Sequence, residues 1–362
     1  AVNVNMDNAS HSIGALMVDT TETMTGAGSL TVESGQMLLW KDNTADIGQI
    51  NFGTEQAFVA NAGNNTINSV LTGSGGLRKL GDGILELTAA NTYSGTTLKD
   101  DGQRMLTGSL LGDVNVAGNA SLWIRDTGYV AEISNNNGDV LLSNASHINA
   151  SGNYINGYGG FTLDTNSSLI NRGTMQQYVN NDGLVNNSAS GSINSVYNHV
   201  GGSVSNSGSI GYLRNEGVAT IASTSVIGTV DNRSNFTNNG VINDDIYNSG
   251  TFINQSNISL NGNSYYRDTL TKYGQSSFTN NATINVYQYA YVNLNEGSSF
   301  VKNNNLNITN AYYTQSFNGV FNNESSGSVK IEDSSVHLGG SYLNKGSTNL
   351  VNGNMTVNGL FD

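Results

Sequence analysis

The chain has 362 residues, with no proline, no cysteine, 44 glycines and, counted along the sequence, 57 asparagines. Charged residues make up 11% and the formal net charge is −13. This composition excludes disulfides and thiol chemistry, collagen, simple disorder and, for want of basic patches, a nucleic-acid partner.

What remains is a fold of many turns and short strands, because glycine and asparagine tolerate the positive φ that sharp turns demand. No helical period persists over three turns, and no run of 18 apolar residues offers a membrane helix. Short apolar alternations recur instead, beginning with Ser29–Leu30–Thr31–Val32 and Ile84–Leu85–Glu86–Leu87. Residues 73–98 are the most specific stretch. They carry Gly73, Gly75, Gly76, Leu77, Lys79, Gly81, Gly83, Leu85 and Leu87, then Asn91, Thr92, Tyr93, Gly95 and Thr97. Gly81–Asp82–Gly83 reads as a tight turn, Leu85 and Leu87 share a face with Glu86 outward, and Asn91 and Gly95 bracket the next corner.

This pattern closely resembles the passenger-associated transport repeat of autotransporters. The resemblance implies a β-helical passenger, exported to a Gram-negative cell surface through a C-terminal β-barrel that this chain does not include. The barrel would be its sole membrane contact. The resemblance also implies an adhesin, similar to the self-associating autotransporter adhesins that drive aggregation and biofilm formation.

Further along, Val114–Asn115–Val116 and Phe161–Thr162–Leu163 continue the short-strand pattern. From about 170 to 255 a unit of asparagine, glycine and a β-former recurs about every ten residues, so two units predict a coil of about 20 residues. A lone coil cannot bury its inward side chains, whereas stacked coils pair every strand about 4.8 Å above and below. The expected fold is therefore all-β, a right-handed parallel three-sided β-helix, with residues 1–362 as one domain and only a soft compositional change near 130. Asparagines at turns are expected to stack into ladders. Asn181, Asn206, Asn215, Asn239, Asn248 and Thr251 are read as outward groups for self-association, since amides and hydroxyls both donate and accept and so suit a contact between identical faces. The partner would be another copy on a neighbouring cell.

No catalytic, metal or cofactor site emerges. His11, His147, His199 and His337 lie too far apart to meet within one coil. The acidic pairs Asp100–Asp101, Asp244–Asp245 and Glu332–Asp333 put sequence neighbours on opposite sides of a strand, so a polysaccharide-degrading site is the weaker reading. Near the end, beyond Thr283–Val286, tyrosines crowd together: Tyr265, Tyr266, Tyr273, Tyr287, Tyr289, Tyr291, Tyr312 and Tyr313. The alternation of Tyr287, Tyr289 and Tyr291 predicts one face of one strand, with Tyr312 and Tyr313 a coil later. This is an alternative surface for a host glycan or matrix protein.

Overall fold

The computed structural model describes residues 2–99, 102–116, 120–124, 129–136, 139–142, 147–150, 161–165, 167–260, 269–272, 275–360 and 362. No helix occurs among them. The chain divides into two compact units, Ala1–Val185 and Asn186–Asp362. Each is a β-solenoid whose strands pair in parallel from coil to coil.

In the first unit three short strands make a coil. Ala57–Asn61, Asn65–Ile67 and Val70–Thr72 are followed by Leu77–Leu80, Ile84–Leu87 and Ala90–Asn91. Leu77 pairs with Ala57 and Leu85 with Asn65. The glycine-rich motif is thus one coil with its corners. Leu77, Leu85 and Leu87 are buried, while Glu86 lies on the outer side. Asn91 points inward, accepting from the Leu71 amide at 2.9 Å and donating to the Ala89 carbonyl at 2.9 Å. Gly76 and Gly95 are required by space: a Cβ on Gly76 would lie 2.0 Å from the Thr96 carbonyl oxygen, and one on Gly95 2.3 Å from the Gly76 nitrogen.

In the second unit a first face is built from Ser203–Asn206, Val218–Ile221, Asn235–Asn238, Thr251–Asn254, Ser277–Asn280, Ser299–Lys302, Val320–Asn323 and Tyr342–Asn344. Each pairs in parallel with the next. A second face includes Ser192–Asn198, Ser209–Asn215, Val226–Asn232, Ile246–Asn248, Thr269–Lys272 and Tyr291–Leu294. A third face is formed by Ile258–Leu260, Ile284–Tyr287, Asn305–Thr309, Ser328–Glu332 and Ser347–Val351. In the earlier coils the corner beside the second face is a single residue within one bent strand. Gly211 and Gly228 occupy it, and a Cβ on Gly228 would lie 2.3 Å from the Gly211 carbonyl oxygen. That saving shortens the coil: successive equivalent asparagines there are 17 residues apart, not about 20, whereas later coils repeat at 22.

The strands of the first face follow a four-residue rule in which the second and fourth side chains point inward. The second position reads Val204, Ala219, Phe236, Phe252, Phe278, Phe300, Phe321 and Tyr342, all buried. Its rings form a column, with centroids 4.7 Å apart for Phe236–Phe252, 4.6 Å for Phe252–Phe278 and 5.3 Å for Phe278–Phe300. Each such pair contributes about 0.5–1.5 kcal/mol beyond its buried area. The fourth position carries Asn206, Asn238, Asn254 and Asn280, all 0% exposed, and Asn238 donates to Asn254 at 2.9 Å and Asn254 to Asn280 at 2.8 Å.

The second face holds a parallel column. Asn198 donates to Asn215 at 2.7 Å, Asn215 to Asn232 at 2.9 Å and Asn232 to Asn248 at 2.7 Å. The same Asn232 amide also reaches the Ser234 carbonyl at 2.9 Å and the Thr251 carbonyl at 3.0 Å. One side chain thereby ties its own corner to the coil above. Removing it strands several buried partners at once, each at a cost of about 1–3 kcal/mol. Asn232→Ala is expected to destabilise the chain by about 3 kcal/mol, read from the urea midpoint, whereas Asn235→Ala, an exposed change one corner away, is expected to cost under about 0.5 kcal/mol.

Candidate functional site

Four of the six asparagine and threonine positions expected on the surface are inside. Asn181, Asn206, Asn215 and Asn248 are 0% exposed. The reason is the corner chemistry: an asparagine ending a strand can reach the turn carbonyl two residues on, as Asn206 does to Gly208 at 3.2 Å and Asn248 to Gly250 at 3.1 Å. Facing inward, it satisfies buried backbone that water cannot reach. Asn239 is half-buried and donates to the Ile221 carbonyl at 3.0 Å. Thr251 alone of the six is exposed.

Thr251 belongs to a row that the sequence reading missed. The outward first positions of the first face are Ser203, Val218, Asn235, Thr251, Ser277, Ser299 and Val320, and the outward third positions are Ser205, Thr220, Thr237, Ile253, Thr279, Val301, Asn322 and Leu343. None is charged, and all are half-buried or exposed. The signal was present in tetrads such as Thr251-Phe-Ile-Asn254 and Ser277-Phe-Thr-Asn280, where inward phenylalanine and asparagine force positions one and three outward.

The second face differs sharply. Outward from it lie Arg214 and Asp231, with Glu216 and Arg233 at the adjoining corner. Arg214 meets Glu216 at 2.5 Å, and Arg233 meets Asp231 at 3.0 Å and Glu216 at 3.5 Å. The Arg214 hydrogen bond holds the Glu216 carboxyl below the usual carboxylate range. The two acidic pairs among the described residues do not converge. Asp245 accepts from the Thr269 amide at 2.6 Å and from the Tyr247 hydroxyl at 2.9 Å, while Asp244 is exposed. Glu332 pairs with Lys330 at 2.6 Å. Asp100 and Asp101 lie outside the described residues. Among the described residues no group of three or more acidic or histidine side chains could hold a metal ion.

The tyrosines are arranged differently from the single-strand expectation. Tyr287 ends a third-face strand, Gln288 turns the corner with φ 44°, and Tyr291 opens a second-face strand. Their alternate spacing therefore spans a corner. Tyr289 packs against Tyr312 with centroids 4.7 Å apart and the rings tilted by 33°, and Tyr313 follows, half-buried. Tyr265, Tyr266 and Tyr273 lie outside the described residues.

The two asparagine columns contain lysines. Lys272 follows Asn248 in register and Lys302 follows Asn280, both 0% exposed. Lys272 donates to the Ser299 carbonyl, the place in the coil above that Asn248 serves at Ser277, and Lys302 donates to the Asn304 carbonyl. Each amine does the donating work of an amide but cannot accept.

Stacked parallel coils with inward amide columns define the class of this protein, a β-solenoid. Over 75 residues the chain is 41% identical to the adhesin BmaC autotransporter of Brucella suis biovar 1 (strain 1330), a match covering 21% of this chain and 2% of that protein. No family model matches the chain, and no solved structure matches it. The solenoid and this partial match fit an autotransporter passenger.

Burial pushes the Lys272 amine down to about 7 and the Lys302 amine to about 8, from an ordinary value of 10.5. The unfolded chain therefore binds more protons than the folded chain between those values, so stability rises with pH there and is lowest below about 7. The urea midpoint is expected to climb from pH 7 to pH 10 and to climb less in Lys272→Met.

Proposed function

We propose that this chain is an adhesive passenger segment displayed on a Gram-negative cell surface, and that it joins cells by pairing its uncharged first face with the same face of another copy. The adhesin named as its partial relative supports binding over catalysis, as do the two described acidic pairs, Asp244–Asp245 and Glu332–Asp333, which do not converge. The observation that carries the self-pairing is the outward surface of the first face. In a chain of net charge −13, fifteen outward positions across eight strands hold serine, threonine, asparagine, valine, isoleucine and leucine alone.

Two identical acidic chains repel at most relative orientations, and an uncharged face minimises that repulsion at contact. Hydroxyls and amides both donate and accept, so a face can meet its own rotated copy without leaving like groups opposed. The face is narrow. Eight strands about 4.8 Å apart and about three residues wide present only a few hundred Å² per partner. That is well below a standard interface of about 800 Å² a side, so one pair binds weakly and transiently. Many chains on two cell surfaces convert weak pairs into firm adhesion through avidity.

Sedimentation velocity of the purified chain tests this. Concentration-dependent dimers are expected, strengthening as salt rises from about 10 to about 150 mM and the Debye length shrinks from about 30 to about 8 Å. Placing carboxylates on the face with Thr220→Glu, Thr237→Glu and Thr251→Glu together is expected to abolish them. A strict monomer at every concentration, or undiminished dimers in the triple variant, would contradict the reading.

A further inference from the structure

Along one edge of the second unit, four successive coils turn the same corner with a non-glycine residue in the left-handed region. Gln288 (φ 44°), Asn310 (φ 50°), Asp333 (φ 45°) and Asn352 (φ 48°) each directly follow a third-face strand. Asparagine and aspartate tolerate this conformation better than most residues, and a repeated left-handed corner of polar residues is uncommon. All four are exposed. Beside them Tyr312, 69% exposed, leans on Tyr289. A tyrosine serving the core looks different: Tyr342 is 1% exposed, stacks on Phe321 at 5.1 Å and bonds Thr348 at 2.7 Å.

At this corner the surface opens into a groove of about 420 Å³, lined chiefly by Tyr312, Tyr313, Thr314, Asp333, Ser335 and Asn352. This size is within the range of small-ligand sites. The groove joins an exposed aromatic ring to a carboxylate, an amide and hydroxyls. A sugar ring presents the matching chemistry, an apolar C–H face for the aromatic and a rim of hydroxyls for the carboxylate and amide. Charge narrows the class. Asp333 places a carboxylate in the lining, no cation lines the groove, and the neighbouring Lys330 is held by Glu332 at 2.6 Å. An anionic sugar would meet repulsion with nothing to offset it.

We propose that this corner binds a neutral oligosaccharide, with Tyr312 as the stacking platform and Asp333 and Asn352 as hydroxyl partners. The site is separate from the first face, so the chain carries a second mode of adhesion that stands whether or not copies pair with each other. Because the corner residue recurs in each coil, neighbouring coils offer polar groups to successive sugar units, and a chain of several sugars binds better than one.

The test is binding of the purified chain to an array printed with neutral, sialylated and sulfated oligosaccharides, followed by calorimetric titration of the best neutral ligand. Neutral glycans are expected to be retained. Tyr312→Ala and Asp333→Ala are each expected to weaken binding about tenfold or more, with Tyr312→Phe close to the parent because stacking needs the ring and not the hydroxyl. The first-face triple glutamate variant is expected to bind glycan as the parent does, which separates this site from self-pairing. A blank array, retention of acidic glycans only, or unchanged affinity in Tyr312→Ala would overturn the proposal.

Discussion

A coil that turns its corners within 16 to 26 residues leaves backbone carbonyls at each corner that no neighbouring strand takes up. Buried and unpaired, each would cost as much as the strand pairings gain. The inward asparagine columns resolve this constraint, and the rest of the molecule follows from it. An asparagine can give one hydrogen to its own corner and one to the coil above while its oxygen receives from the coil below. Among uncharged side chains only the amides can do all three, and buried Gln315 plays the same part at another corner, donating to the Tyr313 carbonyl at 2.7 Å and the Ala290 carbonyl at 3.4 Å while accepting from the Val292 amide at 2.6 Å. The result is a core that is polar at its corners and aromatic between them, with the phenylalanine column lying two residues before the asparagine column on every first-face strand from Asn235 to Asn280.

The same constraint decides what is left for the surface. Once the amides are spent inward, the outward positions are free to vary, and the two long faces of the second unit diverge. One collects a tied network of arginine and carboxylate, and the other stays uncharged over eight strands. A surface so divided separates tasks: the charged face keeps an acidic chain solvated, and the uncharged face allows a copy to approach. The buried lysines mark where the amide columns are interrupted. They donate like asparagine, yet each holds its proton less firmly than a free amine, which couples the core to pH.

Much of this was legible in the sequence. Short strands, stacked parallel coils and the coil built from Gly73 to Leu98 follow from composition, alternation and the fixed glycines. The direction of the asparagines was not, because the Asn-x-Gly signal marks a turn without saying which way the side chain points. That information lay in the residue two positions earlier, where Phe236, Phe252 and Phe278 could only be inward. Coil length was misread for a related reason: glycines about ten residues apart suggest two equal halves, but Gly211 turns a corner with one residue where a loop would use several. The tyrosine alternation failed because a period of two persists through a corner if the turn contains an odd number of residues, and the turn from Gln288 to Ala290 contains three.

The asparagines ending the strands face inward and link coil to coil. Side-chain amide hydrogen exchange, followed by NMR on the intact chain, tests this arrangement. Slow exchange is expected for the side-chain amides of Asn198, Asn215, Asn232 and Asn248, alongside immediate exchange for the exposed Asn194, Asn235 and Asn243 of the same coils. Fast exchange for all seven would mean that the columns do not exist as described, and both the core and the faces derived from it would have to be redrawn.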